Sequence, residues 1–89
     1  MAIVRMEPVD VQVRADWVSG TPREITWGHL RLPVIRLTAV RSEHAAYRVG
    51  VGPRTVFEVE TPGAKIALSF RHRSRRWTVD GVGNKAGSA

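Results

Sequence analysis

The chain has 89 residues, no cysteine and a formal net charge of +6, which indicate one small domain close to the lower size limit for an unstapled core. The lack of cysteine excludes disulfides and thiolate zinc sites. Ile3 and Val4 are followed at once by Arg5, so the apolar run of a signal peptide is missing and no membrane span is predicted. We therefore expect a cytoplasmic protein.

The positive charge is unevenly distributed along the chain. Residues 1–28 carry three arginines and four acidic residues, whereas residues 64–77 carry five cations and no acid. Twelve of the fourteen cations are arginine, a preference that genome composition alone can explain. The separation of charge suggests an anionic partner, with nucleic acid as the first candidate.

The first half of the chain shows the two-residue alternation of half-buried strands. We interpret residues 1–8 as a flexible arm, and the alternation of apolar and polar residues predicts a strand over 9–17. Further strands are predicted over 23–32 and 34–41. The inward parity changes near Pro33, so we expect a bend or bulge there, of the kind that turns the corner of a small barrel.

The second half predicts three consecutive antiparallel strands over 55–81, and the first turn sets their register. Pro62 and Gly63 suit the two central positions of a type II turn, which places Thr61 opposite Ala64. Carried outward, this turn pairs Glu60 with Lys65, Val59 with Ile66, Glu58 with Ala67 and Phe57 with Leu68. The first of these is an opposite-charge pair across the strands.

The next loop, over 72–75, gives the last strand its register. It pairs Phe70 with Trp77, Leu68 with Val79, Ala67 with Asp80 and Arg71 with Arg76. The pairing of Arg71 with Arg76 is unfavourable, because like charges directly opposite each other destabilise a hairpin.

Together these elements predict an all-β fold, a small antiparallel meander of five to six strands curled into a barrel or strongly bent sheet. Residues 9–80 form a single β domain, and the glycine-rich residues 81–89 are expected to be a disordered tail. Residues 42–54 are the longest irregular section, in which 43–47 form either one helical turn or a continuation of the third strand. The aromatic residues predicted in the core are Trp17, Trp27, Phe57, Phe70 and Trp77.

The residues of this skeleton resemble a small uncharacterised β-domain family common in high-GC bacteria. The resemblance covers about two-thirds of the chain and is carried by Arg23, Trp27-Gly28, Leu32, Val34, Phe57-Glu58-Val59-Glu60-Thr61, Leu68 and Arg76-Trp77-Thr78-Val79-Asp80. Members of that family can accompany lesion-bypass DNA polymerase components, so the resemblance implies a repair-associated role. It implies no catalytic residue.

Motifs for catalysis, metals and cofactors are not found in the sequence. The three histidines, His29, His44 and His72, lie on separate elements without ligand spacing. No serine is flanked by a nucleophile elbow or an oxyanion signature. The glycines at 50 and 52 lack the third glycine and the helix of a dinucleotide loop. We therefore predict a protein that is not an enzyme and has no cofactor and no metal site.

The strongest candidate for function is the loop segment RHRSRR, because arginine can hold phosphate oxygens with two parallel hydrogen bonds and can also stack on bases. The residues predicted to bind nucleic acid or another anion are Arg36, Arg71, His72, Arg73, Arg75 and Arg76. Nucleic-acid binding predicts that the arginines share one continuous, acid-free surface. The alternative explanation is that the loop is charged only to keep the protein soluble.

The competing function is a protein-interaction module that docks an acidic protein surface or forms a homodimer. The segments 23–26 and 36–40 read as possible edge strands for such pairing. This alternative predicts an exposed apolar patch in place of the continuous basic surface. A membrane partner is not expected.

Overall fold

A computed structural model describes residues 3–43 and 53–84, and within these ranges every regular element is a β-strand. The strands are β1 (Val4–Ala15), β2 (Pro22–Trp27), β3 (Leu30–Pro33), β4 (Arg36–Glu43), β5 (Arg54–Thr61), β6 (Ala64–Arg71) and β7 (Arg76–Asn84). The all-β prediction is confirmed, with seven strands in place of five or six. β4 continues to residue 43, while the rest of the predicted irregular section up to residue 52 lies outside the described residues.

The seven strands form one antiparallel sheet in the order β3-β2-β1-β7-β6-β5-β4. The order departs from a simple meander, because β1 pairs with β7 and so brings the two ends of the described chain together. β3 and β4 stand at opposite edges of this order, yet only residues 34 and 35 separate them. Such a short link requires the sheet to curl strongly, as predicted.

The link between β3 and β4 is the bend predicted near Pro33. The Val34 amide donates to the Arg23 carbonyl at 2.9 Å, and the Ile35 amide donates to the Glu60 carbonyl at 2.7 Å. Two consecutive amides therefore bond to β2 on one side and to β5 on the other. The two edges of the curled sheet meet at this point.

The hairpin of β5 and β6 has the predicted register from Thr61 opposite Ala64 to Phe57 opposite Leu68. Gly63 has a φ of 83°, which a type II turn requires at this position and which glycine adopts without a steric penalty. Local turn chemistry and apolar alternation agree here. Their agreement is the reason the register could be predicted residue by residue.

The hairpin of β6 and β7 has the predicted pairs next to its loop, Phe70 with Trp77 and Arg71 with Arg76. Farther along, the prediction that Ala67 faces Asp80 is wrong, because Ala67 pairs with Gly81 and the register shifts by one residue. Asp80 is the extra residue of a β-bulge. Such a bulge redirects a side chain and increases the local twist of the strand.

The core lies on one face of the sheet and consists of Ile25, Val59, Ile66, Leu68 and Val79, all at most 1% exposed. Trp27, Phe57 and Trp77 are partly buried and pack against this cluster, while Trp77 also contacts Phe70 with ring centroids 5.0 Å apart. These positions follow from the alternation of side chains across each strand.

Trp17 was predicted to be in the core and is instead 94% exposed. β1 ends at Ala15, so the alternation that includes Trp17 extends beyond the strand into the following turn. Alternation defines the buried face only while the backbone remains extended. The turn after β1 therefore places the indole ring in solvent.

Parts of the segments predicted to be a flexible arm and a disordered tail belong to strands. β1 begins at Val4, which pairs with Val82, so residues 4–8 and 81–84 belong to strands; residues 85–89 lie outside the described part of the chain. Gly81 permits this pairing, since a Cβ there would lie 2.6 Å from Ile3 Cγ2. The register between β1 and β7 breaks before Val9, next to Pro8, which has no amide to donate.

Candidate anion-binding surface

The face of β5, β6 and β7 opposite the core is mostly polar, and we call it the polar face. Its residues are Arg54, Val56, Glu58 and Glu60 on β5, Lys65, Ala67, Ser69 and Arg71 on β6, and Arg76, Thr78 and Asp80 on β7. Side chains alternate across strands, so these residues face away from the apolar cluster. Most of the charged side chains discussed below belong to this face.

Three arginines stand side by side across the end of the polar face. Arg71 pairs with Arg54 on β5 and with Arg76 on β7, and we call these three residues the arginine row. The Nε atom of Arg71 is buried and has no hydrogen-bond partner among the described residues. The sequence predicted one like-charge pair, and the structure adds a second through Arg54.

Two further arginines extend the row into the loop between β6 and β7. Arg73 and Arg75 are exposed, and the amide of Arg75 donates to the carbonyl of Arg71 at 2.7 Å, which closes the loop. Arg75 has a φ of 57°, in the left-handed region that only glycine enters without strain. We call these two residues and the arginine row the basic end of the domain.

His72 lies in the same loop but is held on the apolar side of the sheet. Its Nε2 atom is 2.8 Å from Thr55 Oγ1, a hydrogen bond whose donor depends on the tautomer of the ring. The imidazole also contacts Phe70 edge to face, with centroids 5.1 Å apart, and the His72 amide donates to the Pro53 carbonyl at 3.2 Å. His72 therefore anchors the loop to β5.

Arg36 does not belong to this surface. It pairs with Glu60, six residues along β5 from Arg54, which corresponds to about 20 Å of extended strand. Its Nε atom lies 3.9 Å from Glu60 Oε1. The prediction of a single surface containing Arg36 is wrong, because β4 runs antiparallel to β5 and begins beside the other hairpin.

The basic end is also not free of acids. Asp10 Oδ2 lies 3.6 Å from Arg76 Nη1, and both side chains are mostly exposed. Asp80 Oδ2 lies 3.3 Å from Arg54 Nη1, in a more buried setting. Two carboxylates therefore face five arginines, and the basic end keeps an excess of positive charge.

Asp80 is the centre of a buried polar cluster that the sequence did not reveal. Its carboxylate accepts hydrogen bonds from the hydroxyls of Ser69 and Thr78, the latter at 2.8 Å, and from Arg54. Ser69 is fully buried and Thr78 is 5% exposed. Asp80 lies two residues after Thr78, which is paired with Ser69, so the three side chains meet on the same face of the sheet.

A pocket of about 370 Å³ opens on the polar face beside this cluster. Its charged lining residues are Arg5, Arg41, Arg54, Lys65, Glu58 and Asp80. Arg41 Nη1 lies 2.8 Å from Glu58 Oε2, so both carboxylates already face arginines. Four cations against two carboxylates make the pocket favourable for an anionic group.

Comparisons of this chain with protein-family models, with curated proteins and with solved structures find no match. In the described ranges no helix is long and apolar enough to cross a membrane. Across the same residues, no three His, Cys, Asp or Glu side chains come together as a group that could hold a metal ion. The absence of an enzymatic activity stays a prediction from the sequence.

Proposed function

We propose that this domain is a non-enzymatic accessory module that binds the phosphate backbone of nucleic acid through its basic end. The observation that carries the proposal is the arginine row, in which Arg71 has a cation opposite it on both neighbouring strands. The repair-associated role implied by the family resemblance is part of the same proposal.

The arginine row costs stability in the isolated domain. Like charges directly opposite each other on neighbouring strands are destabilising, and the unpartnered Nε of Arg71 adds the cost of a buried donor without an acceptor. A phosphate group offsets the repulsion, because its oxygens neutralise the row and accept charge-assisted hydrogen bonds from the guanidinium groups that solvent reaches. The arrangement therefore favours an anionic partner.

The exposed loop supplies contacts that the buried part of the row cannot make. Arg73 and Arg75 project from the hairpin beside Arg76, so a backbone lying along this end can contact several arginines at once. No helix in the described ranges is available to enter a major groove. Backbone contact without base readout gives binding that is salt-sensitive and weakly selective for sequence.

The test is a salt titration of oligonucleotide binding, followed by fluorescence anisotropy. The double variant Arg73→Gln/Arg75→Gln is compared with Arg31→Gln/Arg36→Gln, which removes the same charge from exposed residues outside the basic end. We expect the first variant to bind more weakly and to lower the salt slope by about 1 for each lost phosphate contact. The control should keep the slope of the wild type.

Two results would contradict the proposal. Absence of wild-type binding at low salt would mean that the arginines serve only to keep the loop in solution. An equal loss of binding in both variants would show that net charge, and not the basic end, attracts the oligonucleotide.

A second candidate function, homodimerisation through an edge strand, is favoured by β4. This strand is an edge of the described sheet, and it carries Leu37 and Val40, which are 36% and 50% exposed. The other edge predicted from the sequence, 23–26, lies in β2, which is covered by β1 and β3. Light scattering of the wild type and of Val40→Lys tests this candidate, because a charge on an edge strand opposes pairing between sheets.

A further inference from the structure

Among the residues that the structure describes, Trp17 is the most exposed large hydrophobic side chain, and it lies at the tip of the turn between β1 and β2. Trp17 is 94% exposed and its neighbour Val18 is 77% exposed. A large aromatic ring is ordinarily placed where it buries area, and an exposed one at a fixed position is typical of a contact surface.

The turn that carries Trp17 is fixed by Asp16. Asp16 Oδ1 accepts the amides of Val18 at 2.9 Å and Ser19 at 3.1 Å, and Oδ2 accepts Arg23 Nη2 at 3.2 Å. The amide of Ser19, then that of Val18, then Arg23, lower the pKa of the Asp16 carboxyl below its ordinary value. Because the folded pKa is depressed, these bonds are intact at neutral pH and weaken only as the pH falls through that value.

Trp17 and the basic end lie at the same end of the sheet. β1 runs antiparallel to β7 and pairs Val11 with Trp77, one residue after β7 begins at Arg76. β1 then continues four residues beyond this pair to Ala15. It therefore extends past the start of β7, toward the level of the loop between β6 and β7. The turn bearing Trp17 and the loop bearing Arg73 and Arg75 thus emerge in the same direction.

A groove lies where β1 runs beside the start of β7 and the loop before it. It has a volume of about 460 Å³ and is lined by Asp10, Val11, Gln12 and Val13 on β1 and by Arg75, Arg76 and Trp77. From Val13 to Trp17 the chain advances at most about 13 Å, the length of four extended residues. The groove therefore holds two arginines against one carboxylate, and the strand that lines it continues to an exposed aromatic ring.

We propose that the basic end takes single-stranded nucleic acid, whose backbone follows this groove on Arg75 and Arg76 while one base stacks on Trp17. This inference rests on the proposed function and specifies its substrate. A single strand offers free base faces, whereas the bases of a duplex are stacked on one another and cannot receive the indole ring. Stacking on an aromatic side chain tolerates any base, in keeping with weak sequence selectivity.

The experiment measures binding of a short fluorescein-labelled oligothymidylate and of a hairpin duplex of the same length. We expect Trp17→Ala to weaken binding of the single strand by roughly 5- to 150-fold, the effect of one lost base stack. Duplex binding should change less than twofold, and the salt slope should stay constant because no phosphate contact is lost. Trp17→Phe should recover most of the affinity, and Val18→Ala is the control from the same turn.

Two measurements support the interpretation of these affinities. Thermal melting of Trp17→Ala should stay within about 4 °C of the wild type, as expected for an exposed side chain. The intrinsic tryptophan fluorescence of the wild type should be quenched by the unlabelled single strand. In Trp17→Ala the quenching should be smaller, and what remains should come from Trp77, which lines the groove.

The outcomes separate this inference from the proposed function. If Trp17→Ala binds the single strand as the wild type does while Arg73→Gln/Arg75→Gln does not, base stacking is refuted and backbone binding stands. Equal loss for single strand and duplex also refutes stacking. If the wild type binds neither at low salt, both proposals fail.

Discussion

Two hairpins share β6, and they follow opposite rules. The hairpin of β5 and β6 turns through Pro62 and Gly63, with glycine at the position of positive φ, and sets Glu60 opposite Lys65. The hairpin of β6 and β7 puts a non-glycine residue, Arg75, at positive φ and pairs arginine with arginine next to its loop.

The contrast shows that the features expected to lower the stability of the domain lie in the second hairpin. Both hairpins use the same strand and the same core face, so packing cannot account for the difference. The departures next to the loop of the second hairpin all involve arginines of the basic end, including the strained φ of Arg75 and the unpartnered Nε of Arg71. Departures from local rules that gather at one site are typical of a functional surface.

The largest effect is expected from the residue that supports both hairpins. Leu68 is fully buried and pairs with Phe57 on one side and Val79 on the other. Leu68→Ala should lower the free energy of unfolding by about 2–5 kcal/mol, because the lost burial and the cavity both count. Urea unfolding measures this, with Val40→Ala, half exposed, as the control. A decrease of less than about 1 kcal/mol in the free energy of unfolding would show that Leu68 is not part of the core.

The next effect comes from the polar cluster around Asp80, which is centred on the second hairpin and reaches β5 through Arg54. Asp80→Ala removes the acceptor of the buried hydroxyls of Ser69 and Thr78, which should cost about 1–3 kcal/mol. Asp80→Asn keeps an acceptor oxygen and should cost less. Equal losses for the two variants in thermal melts would show that the carboxylate charge, and not its hydrogen bonds, stabilises the cluster.

The positive-φ positions of these two hairpin turns, Gly63 and Arg75, should respond to substitution with opposite signs. Gly63→Ala should destabilise the domain by about 1–2 kcal/mol, because alanine is strained at positive φ. A Cβ there meets no atom within 4 Å, so no steric clash adds to this cost. Arg75→Gly relieves strain but adds chain entropy to the unfolded state, so it should stabilise by up to about 1 kcal/mol. Both are measured by urea unfolding. If both variants are destabilised, the positive φ of Arg75 is not a source of strain in the second hairpin.

The smallest expected effect is that of Arg76→Gln. It relieves the repulsion with Arg71 but breaks the exposed ion pair with Asp10, two terms of about 0.2–1 kcal/mol that oppose each other. The change in stability should therefore be within about 0.5 kcal/mol. In an Asp10→Asn background only the repulsion remains, and Arg76→Gln should then be stabilising. No difference between the two backgrounds would mean that the ion pair does not form in solution.

The sequence predicted those parts of the fold that depend on local rules. The turn at Pro62 and Gly63 set the register of β5 and β6, and the pairing of Arg71 with Arg76 followed from the next loop. The bulge at Asp80 was missed because a one-residue shift leaves no mark on the apolar alternation near the loop. The pairing of Val4 with Val82 was missed because contacts between distant segments have no local signal.

The candidate site was predicted in part for the same reason. The arginines of the loop are adjacent in sequence, so their proximity could be foreseen. Arg54 and Asp80 reach the site only through strand pairing. Arg36 was misplaced because its position depends on the direction of β4, and Trp17 because the end of β1 depends on the turn that Asp16 stabilises.

The consecutive amides of Val34 and Ile35 give the domain an internal reporter of its opening. Fraying of β2 from the link frees the first amide alone, and separation of β5 from it frees only the second. Hydrogen exchange at these two neighbouring amides can therefore distinguish the loss of the contact with β2 or with β5 from the opening of the whole curled sheet. Equal exchange rates would identify a structure that opens as one cooperative unit. Unequal rates would show which edge of the sheet leaves first.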